Sequence, residues 1–337
     1  MSRPHIRGFI LGSRRSGSNL LRVMLNNSPF LSAPHPPHIL HGFTSLLPRY
    51  GDLARDENWL TLVRDVVDYA NLNPVPLLES NALLEPEAVA ARCLQRGLIW
   101  LHDAVYSEVM DQCGKRAWVC KSNDNIHYLE DIEAAFADTA RYIYLYRDGR
   151  DVALSYRKAP IGPKHPYLCA TEWAETQRDM LDWERRVGPR LRRVRYEDLI
   201  ARPEDVCREL CAFLGVDFDA AMLDHHNSGE AARTAGKSVL WANLTRPIQR
   251  GNSEKWRHDS VHNVQQFERA AATALTALGY SLACAPLAPP RDDENTQIQV
   301  EDRRLRDEVL ASLGHDGGTR GAQAAFLERR RNELGPG

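Results

Sequence analysis

The chain has 337 residues, 43% of them hydrophobic and 26% charged, with a formal net charge of −2. That length can bury a full core, as one large domain or two small ones, and the near-neutral balance excludes the global basic field that nucleic-acid binding uses. No apolar run approaches the ~20 residues of a membrane span and no secretory h-region opens the sequence, so a cytoplasmic enzyme with a local anion site is the expectation.

Strand patterns occur at Ile6–Leu11, Trp118–Cys120, Arg141–Tyr146 and Leu191–Arg195, with a weaker one near Phe30–Ala33. Helical periodicity falls between and after them, at Asn19–Asn27, Trp59–Ala70, Glu85–Met110, Ile126–Phe136, Tyr167–Val187 and Pro203–Leu214. Strands alternating with helices predict an α/β protein with a parallel sheet, whose ligands bind beyond the carboxyl ends of the strands. The proline-rich Leu282–Arg291 breaks structure. Two charged amphipathic helices are predicted after it, near Val300–Leu313 and Gln323–Leu334. The expected organisation is a domain over 1–290 and a helical extension over 291–337, packed on the core or on a second subunit as a homodimer contact.

The seven cysteines are scattered, and only Cys207 and Cys211 are close, four apart on one helix face, where buried free thiols are expected. Only six of the 43 basic residues are Lys, so each retained Lys is a pointer to a place that needs a compact point charge.

Four stretches carry the chemistry. The first, "GFILGSRRSGSNLLRVML" (8–25), is a strand, a Ser/Arg/Gly turn and an amphipathic helix, which is the layout of an anion-binding loop. Its glycines have the spacing of a nucleoside-triphosphate loop, but the Lys expected after Gly17 is Ser18, and the charge comes instead from Arg14 and Arg15. In the second, "YIYLYRDGRDVALSY" (142–156), Arg147 and Ser155 bracket a strand end and a helix, although these charges could simply pair among themselves. The third, "LRRVRYEDLIARPEDVCRELCAFLGV" (191–216), places Tyr196 at a strand's carboxyl end. The fourth, "QRGNSEKWRHDS" (249–260), is a polar loop with one large aromatic.

Together, in this order, the four resemble the sulfotransferases that use 3′-phosphoadenosine 5′-phosphosulfate (PAPS), over about residues 7–281. The resemblance implies a P-loop-like three-layer fold with a central, mostly parallel sheet flanked by helices. It implies PAPS as co-substrate, no metal requirement, and a small-molecule or peptide hydroxyl as acceptor. Carried over by position, Arg15, Ser16, Gly17, Ser18 and Asn19 match the 5′-phosphosulfate loop, with Arg14 beside them. Arg147 and Ser155 match the 3′-phosphate ligands, and Tyr196 an adenine contact. Arg250 and Gly251 match the late basic-Gly pair before Trp256. "NSEKW" is closer to the tyrosylprotein branch, where Ser253 and Lys255 match cofactor-binding residues. PAPS carries two separate phosphates, which explains why a triphosphate clamp is missing and a second arginine site is present.

The pattern also departs from the cytosolic branch of that family. "CKSNDNIH" matches its Lys at Lys121, but Asn123 stands where its base His belongs, and Leu20 replaces the aromatic that follows the loop. Both departures point to the tyrosylprotein-like or bacterial branches, and the resemblance to the tyrosylprotein branch implies a base shortly after the first helix, where that branch has a Glu. There "SPFLSAPHPPHILHGF" offers His35, with His38 and His41 following and His127 as the second candidate. Pro36 and Pro37 prevent a regular helix through these histidines, and no nearby cysteine or carboxylate completes a metal site. The expected catalytic set is Arg15, Lys121 and a histidine base. A P-loop small-molecule kinase and a catalytically inactive nucleotide-binding protein are the alternatives.

Overall fold

The computed structural model describes residues 5–313 and 320–335. Its sheet has strands β1 (Arg7–Leu11), β2 (Leu31–Ser32), β3 (Ala117–Cys120), β4 (Ala140–Tyr146) and β5 (Leu191–Arg195). All pairings are parallel, in the order β2-β3-β1-β4-β5, and Phe9 lies level with Cys120 on one side and Tyr142 on the other. The chain order reverses beside β1, so the loops after β1 and β4 open next to each other at the carboxyl edge.

The period of two divides each strand between two cores. Phe9, Leu11, Trp118, Tyr142 and Tyr144 face one side, while Ile10, Val119, Ile143 and Leu145 face the other. Burial on both faces explains why these strands read as nearly continuous apolar runs.

The helices are α1 (Ser18–Asn26), α2 (Ile39–Phe43), α3 (Asp56–Asn71), α4 (Pro86–Arg92), α5 (Leu98–Gln112), α6 (Leu129–Phe136) and α7 (Gly149–Tyr156). They continue as α8 (Pro166–Val187), α9 (Tyr196–Ala201), α10 (Pro203–Leu214), α11 (Gly229–Ala235), α12 (Val261–Ala277), α13 (Asp292–Leu313) and α14 (Gly321–Glu333). Helices α1 and α10 cover the Ile10 face, while α3, α5, α8 and α12 cover the Phe9 face. Cys207 and Cys211 are buried free thiols within α10.

Gly149 belongs to the tightest junction. A Cβ there would lie 2.5 Å from Phe267 of α12 and 2.6 Å from the Trp173 ring of α8. The glycine of "RDGRD" is therefore a packing requirement that lets α7 approach both helices.

Several elements differ from the sequence reading. The single helix expected over Glu85–Met110 is two, α4 and α5, separated at Cys93–Gly97. Arg96 in that break donates to the carbonyls of Leu53 and Ala54, and this tie to the loop before α3 offsets the lost helical bonds. The helix expected from Ile126 starts at Leu129, after 3₁₀ turns over Asn123–Tyr128. Helix α12 was not anticipated, although Ser260 caps it by accepting from the Asn263 N–H at 3.2 Å. Helix α13 begins at Asp292, eight residues before the Val300 expected from periodicity.

The two tail helices pack on the rest of the chain. Asp302 of α13 accepts from the Lys164 and His165 N–H groups at 2.5 and 2.8 Å, just before α8. In α14, Phe326 meets Tyr69 of α3, and Arg330 Nε donates to Asp65 at 2.7 Å.

Candidate active site

A cavity of 1320 Å³ opens at the carboxyl edge of the sheet, between the loops after β1, β3 and β4. Its floor is the turn from Ser13 to Gly17. Gly17 holds φ 92°, and a Cβ at that position would sit 2.4 Å from the Tyr196 ring. Only glycine combines that conformation with that contact. Helix α1 starts at once, so its first-turn N–H groups, which lack intrahelical partners, stand at the loop.

Arg15 turns out of this loop at φ 68°, a left-handed conformation rare outside glycine. Its Nε donates to Ser155 Oγ at 2.9 Å, which joins the loop to α7. Burial, then the charge of Arg147, lowers the Arg15 pKa. Arg147 lies with its guanidinium 4.4 Å above the Tyr196 ring and donates from Nη2 to the Asn252 carbonyl at 2.8 Å. Asn252 in turn donates from Nδ2 to the Tyr196 hydroxyl at 2.7 Å. Asp151 stands 3.6 Å from Arg147, longer than a direct hydrogen bond.

The charges of "RDGRD" do pair among themselves, tightly for Arg150 with Asp148 and loosely for Arg147 with Asp151. Arg150 binds Asp148 and Glu268, both at 2.7 Å, and lies over Trp256. Arg147 keeps a buried Nε with no hydrogen-bond partner. A buried guanidinium edge without an acceptor is costly unless a ligand supplies one.

The third side of the cavity comes from the segment after β3. Lys121 lines it, half-buried, with no carboxylate of the described residues within 4 Å. Burial, and then the charges of Arg22 and Arg320, push its ammonium down to about 7, although Asp124 pulls the other way. Asn123, at the position of the missing histidine, donates to the Gly12 carbonyl at 2.8 Å and so braces the loop. Asp124 bridges two groups: Oδ1 accepts from Arg14 at 3.0 Å and Oδ2 lies 3.1 Å from His38 Nδ1.

His38 lines the cavity in another left-handed conformation, φ 56°. Its Nδ1 is also 2.7 Å from Ser122 Oγ. A proton on Nδ1 satisfies both oxygens and leaves the Nε2 lone pair free. Burial lowers its pKa to about 4 despite the Asp124 hydrogen bond, so the ring is neutral at pH 7.

His35 is 2% exposed and does not line the cavity. Its Nδ1 faces two donors, Asn73 Nδ2 at 3.3 Å and Arg320 Nη2 at 3.5 Å, and its ring lies against Trp241. Burial, followed by Arg22 and Arg320, pushes its pKa well below the usual range. His127 is exposed on the 3₁₀ turns and also lies off the cavity.

The remaining sequence candidates divide. Gly17, Ser18, Asn19, Tyr196 and Lys255 line the cavity with Arg14, Arg15, Arg147 and Ser155. Ser16 is turned under the loop, its hydroxyl 2.7 Å from Ser13 Oγ. Arg250, Gly251 and Ser253 belong to the late loop but do not line the cavity, whereas Asn252 between them does. Sequence reasoning passed over Asp124 and Asn252, both inside stretches it had singled out, and Arg320, which sits in the tail and carries no motif.

Comparison with known proteins agrees with this geometry. A model described as "Sulfotransferase family" matches residues 8–220, more than half of the chain. The chain is 22% identical over 307 residues to protein-tyrosine sulfotransferase A of Caenorhabditis elegans, covering 87% of this chain and 72% of that protein. It is similar in structure to the sulfotransferase domain of the Synechococcus PCC 7002 olefin synthase, with 28% identity and a TM-score of 0.59, covering 84% of this chain and 98% of that one. The sulfotransferase domain of the curacin biosynthetic pathway gives the same TM-score at 25% identity, covering 84% of this chain and 100% of that one. No helix of the described residues is long and apolar enough to cross a membrane. A P-loop-like parallel sheet, arginines from two loops at its carboxyl edge and a family match across the motif-bearing residues lead to one conclusion: the chain belongs to the sulfotransferase family, as a PAPS-dependent enzyme.

Proposed function

We propose that the acceptor is a hydroxyl of a small molecule or peptide, and that His38, not His35, removes its proton. The observation that carries the nucleotide reading is Arg147. Its Nε is buried and unpartnered, which supports a second anion held beside the one at the α1 loop. The residues present fit PAPS. Arg147 and Ser155 would hold the 3′-phosphate, and Arg15 with the backbone of Gly17, Ser18 and Asn19 would hold the 5′-phosphosulfate. Tyr196 would lie under the adenine, and Lys255 would add charge from the late loop. When bound, PAPS supplies a sulfonate on a phosphate that can leave once its charge is met.

The chain's own residues do the rest. Arg15 and Lys121 place positive charge at the α1 loop, where negative charge grows on the phosphate as it departs. In this reading Asp124, held by Arg14, fixes the His38 ring and tautomer through Nδ1, and Nε2 would accept the hydroxyl proton. A His35 base fits less well, since the only lone pair its tautomer offers is directed at two donors. A kinase would need a Lys after Gly17, and Ser18 occupies that place.

Residues 1–290 are proposed as the sulfotransferase domain and 291–337 as an extension. A homodimer through that extension would use α13, where Val300 stands exposed, because the buried face of α14 is already spent on this chain. The test is conversion of PAPS to 3′-phosphoadenosine 5′-phosphate (PAP) in EDTA, against a panel of hydroxyl metabolites and tyrosine peptides. Acceptor-dependent release of PAP supports the reading. Tight PAP binding without turnover favours an inactive nucleotide-binding protein, and ATP- and Mg²⁺-dependent transfer favours a kinase.

A further inference from the structure

The cavity contains a cation that nucleotide binding does not account for. Arg320, immediately before α14, reaches back from the tail to line it together with His38, Lys121 and Tyr69. Three neutral oxygens aim its guanidinium: the Pro36 carbonyl at 2.7 Å, Gln323 Oε1 at 2.5 Å and Asn73 Oδ1 at 3.3 Å. No carboxylate of the described residues lies within 4 Å of it, whereas comparably placed arginines are paired. Arg22 binds Glu230 at 2.5 Å, Arg150 binds Asp148, and Arg330, one helix further along the tail, binds Asp65. Asp124, a carboxylate of the same cavity lining, is already divided between Arg14 and His38.

The position of this charge separates it from the nucleotide side. Arg147, Ser155, Tyr196 and Asn252 are linked to one another and to the α1 loop. Arg320 is held instead by the segment just before the proposed base, next to the His35–Trp241 contact. A cavity of 1320 Å³ exceeds the roughly 300–1,000 Å³ of ordinary small-molecule sites, so it has room for an acceptor beside a nucleotide. Apolar and aromatic side chains, Tyr69, Leu240 and Trp241 among them, also line the cavity.

We propose that Arg320 is an acceptor-specificity residue: it binds a carboxylate or phosphate carried by the acceptor, so the preferred substrates are hydroxyl compounds with an anionic group on an apolar body. This rests on the sulfotransferase reading and deepens it. The guanidinium is pre-oriented by its neutral partners, and its fork suits either anion. The extension thereby supplies a site residue from beyond the segment that matches the family model.

The test uses the full chain saturated with PAP and two probes, 4-hydroxyphenylacetate and its uncharged amide, titrated by calorimetry up to about 10 mM. Wild type is expected to bind the acid about ten-fold or more tightly than the amide. R320Q is expected to erase that preference and R320K to keep part of it, with PAP still bound by both. Phosphorylated and carboxylated hydroxyl compounds, compared in the same way, tell the two anions apart. The inference is overturned if wild type shows no preference, including no binding of either probe. It is equally overturned if R320Q keeps the preference or loses PAP instead. Failure of wild type to bind PAP at all counts against the sulfotransferase reading, which separates the two.

Discussion

Arg15 Nε and Ser155 Oγ lie 2.9 Å apart, so the loop after β1 and the helix after β4 are joined through side chains that the sequence assigns to two different phosphates. The contact ties Arg15, in its left-handed conformation, to α7, and in the proposed reading it would keep the two phosphates in one register. Ser155→Ala is therefore expected to weaken binding of PAP and also to lower turnover. A variant that changes neither would reduce the contact to surface chemistry.

Arg15→Ala and Lys121→Ala should each lower turnover by on the order of 10²–10³, since each meets charge that develops only during transfer. Steady-state kinetics distinguish this from simple binding. Unchanged kcat with a raised KM would remove the residue from the catalytic set.

His38→Ala should cost about 10²–10⁴ in turnover with PAP affinity intact, and Asp124→Asn should cost part of that by releasing the ring. Burial sets the His38 pKa at about 4, so the neutral, proton-accepting form persists as pH falls and is lost only near pH 4. The acid limb of kcat/KM is accordingly expected well below the ordinary histidine range. His35→Ala, by contrast, should chiefly lower the melting temperature, because that ring is a packing element against Trp241 and Asn73. If His35→Ala abolishes turnover in a stable protein and His38→Ala does not, the assignment of the base is reversed.

Lys121 gives a second pH signature. Its ammonium is pushed down to about 7 in the free protein, and an anionic ligand binds best to the charged form. Affinity for PAP should be fully present below pH 7 and decline as pH rises through that value. Lys121→Arg should flatten the profile. Titrations at several pH values settle it, and a profile identical in the two proteins contradicts the role.

Gly149→Ala tests packing apart from chemistry. A Cβ 2.5 Å from Phe267 overfills the junction of α7, α8 and α12, at a cost of about 1–3 kcal/mol. Urea unfolding should show a lower midpoint. An unchanged midpoint would mean that α7 shifts freely, and Arg147 and Ser155 with it.

Much of this was legible in the sequence, for physical reasons. Strands β1, β3 and β4, buried on both faces, announced themselves as apolar runs, and the glycine of the β1 loop marked the left-handed turn packed against Tyr196. That Arg147 and Ser155 come to one cavity was legible because they bracket a strand end and one short helix. What escaped depends on contacts between distant segments. The α4–α5 break is held by Arg96 on a loop some forty residues away. The difference between His35 and His38 comes from Asn73, Asp124 and Arg320, which no local pattern connects. Arg320 itself lies in a tail whose composition reads as solvated helix.

The central claim is that the anion held here is divided between two arginine sites, and calorimetry tests it most directly. PAP and adenosine 5′-phosphate are titrated into wild type and Arg147→Ala in EDTA. The account predicts that wild type prefers PAP, and that the variant loses roughly ten- to a hundred-fold in PAP affinity, the equivalent of about 1.5–3 kcal/mol for a charge-assisted contact. Its affinity for adenosine 5′-phosphate should barely change. Equal losses for the two nucleotides would make Arg147 a structural residue and contradict the divided site.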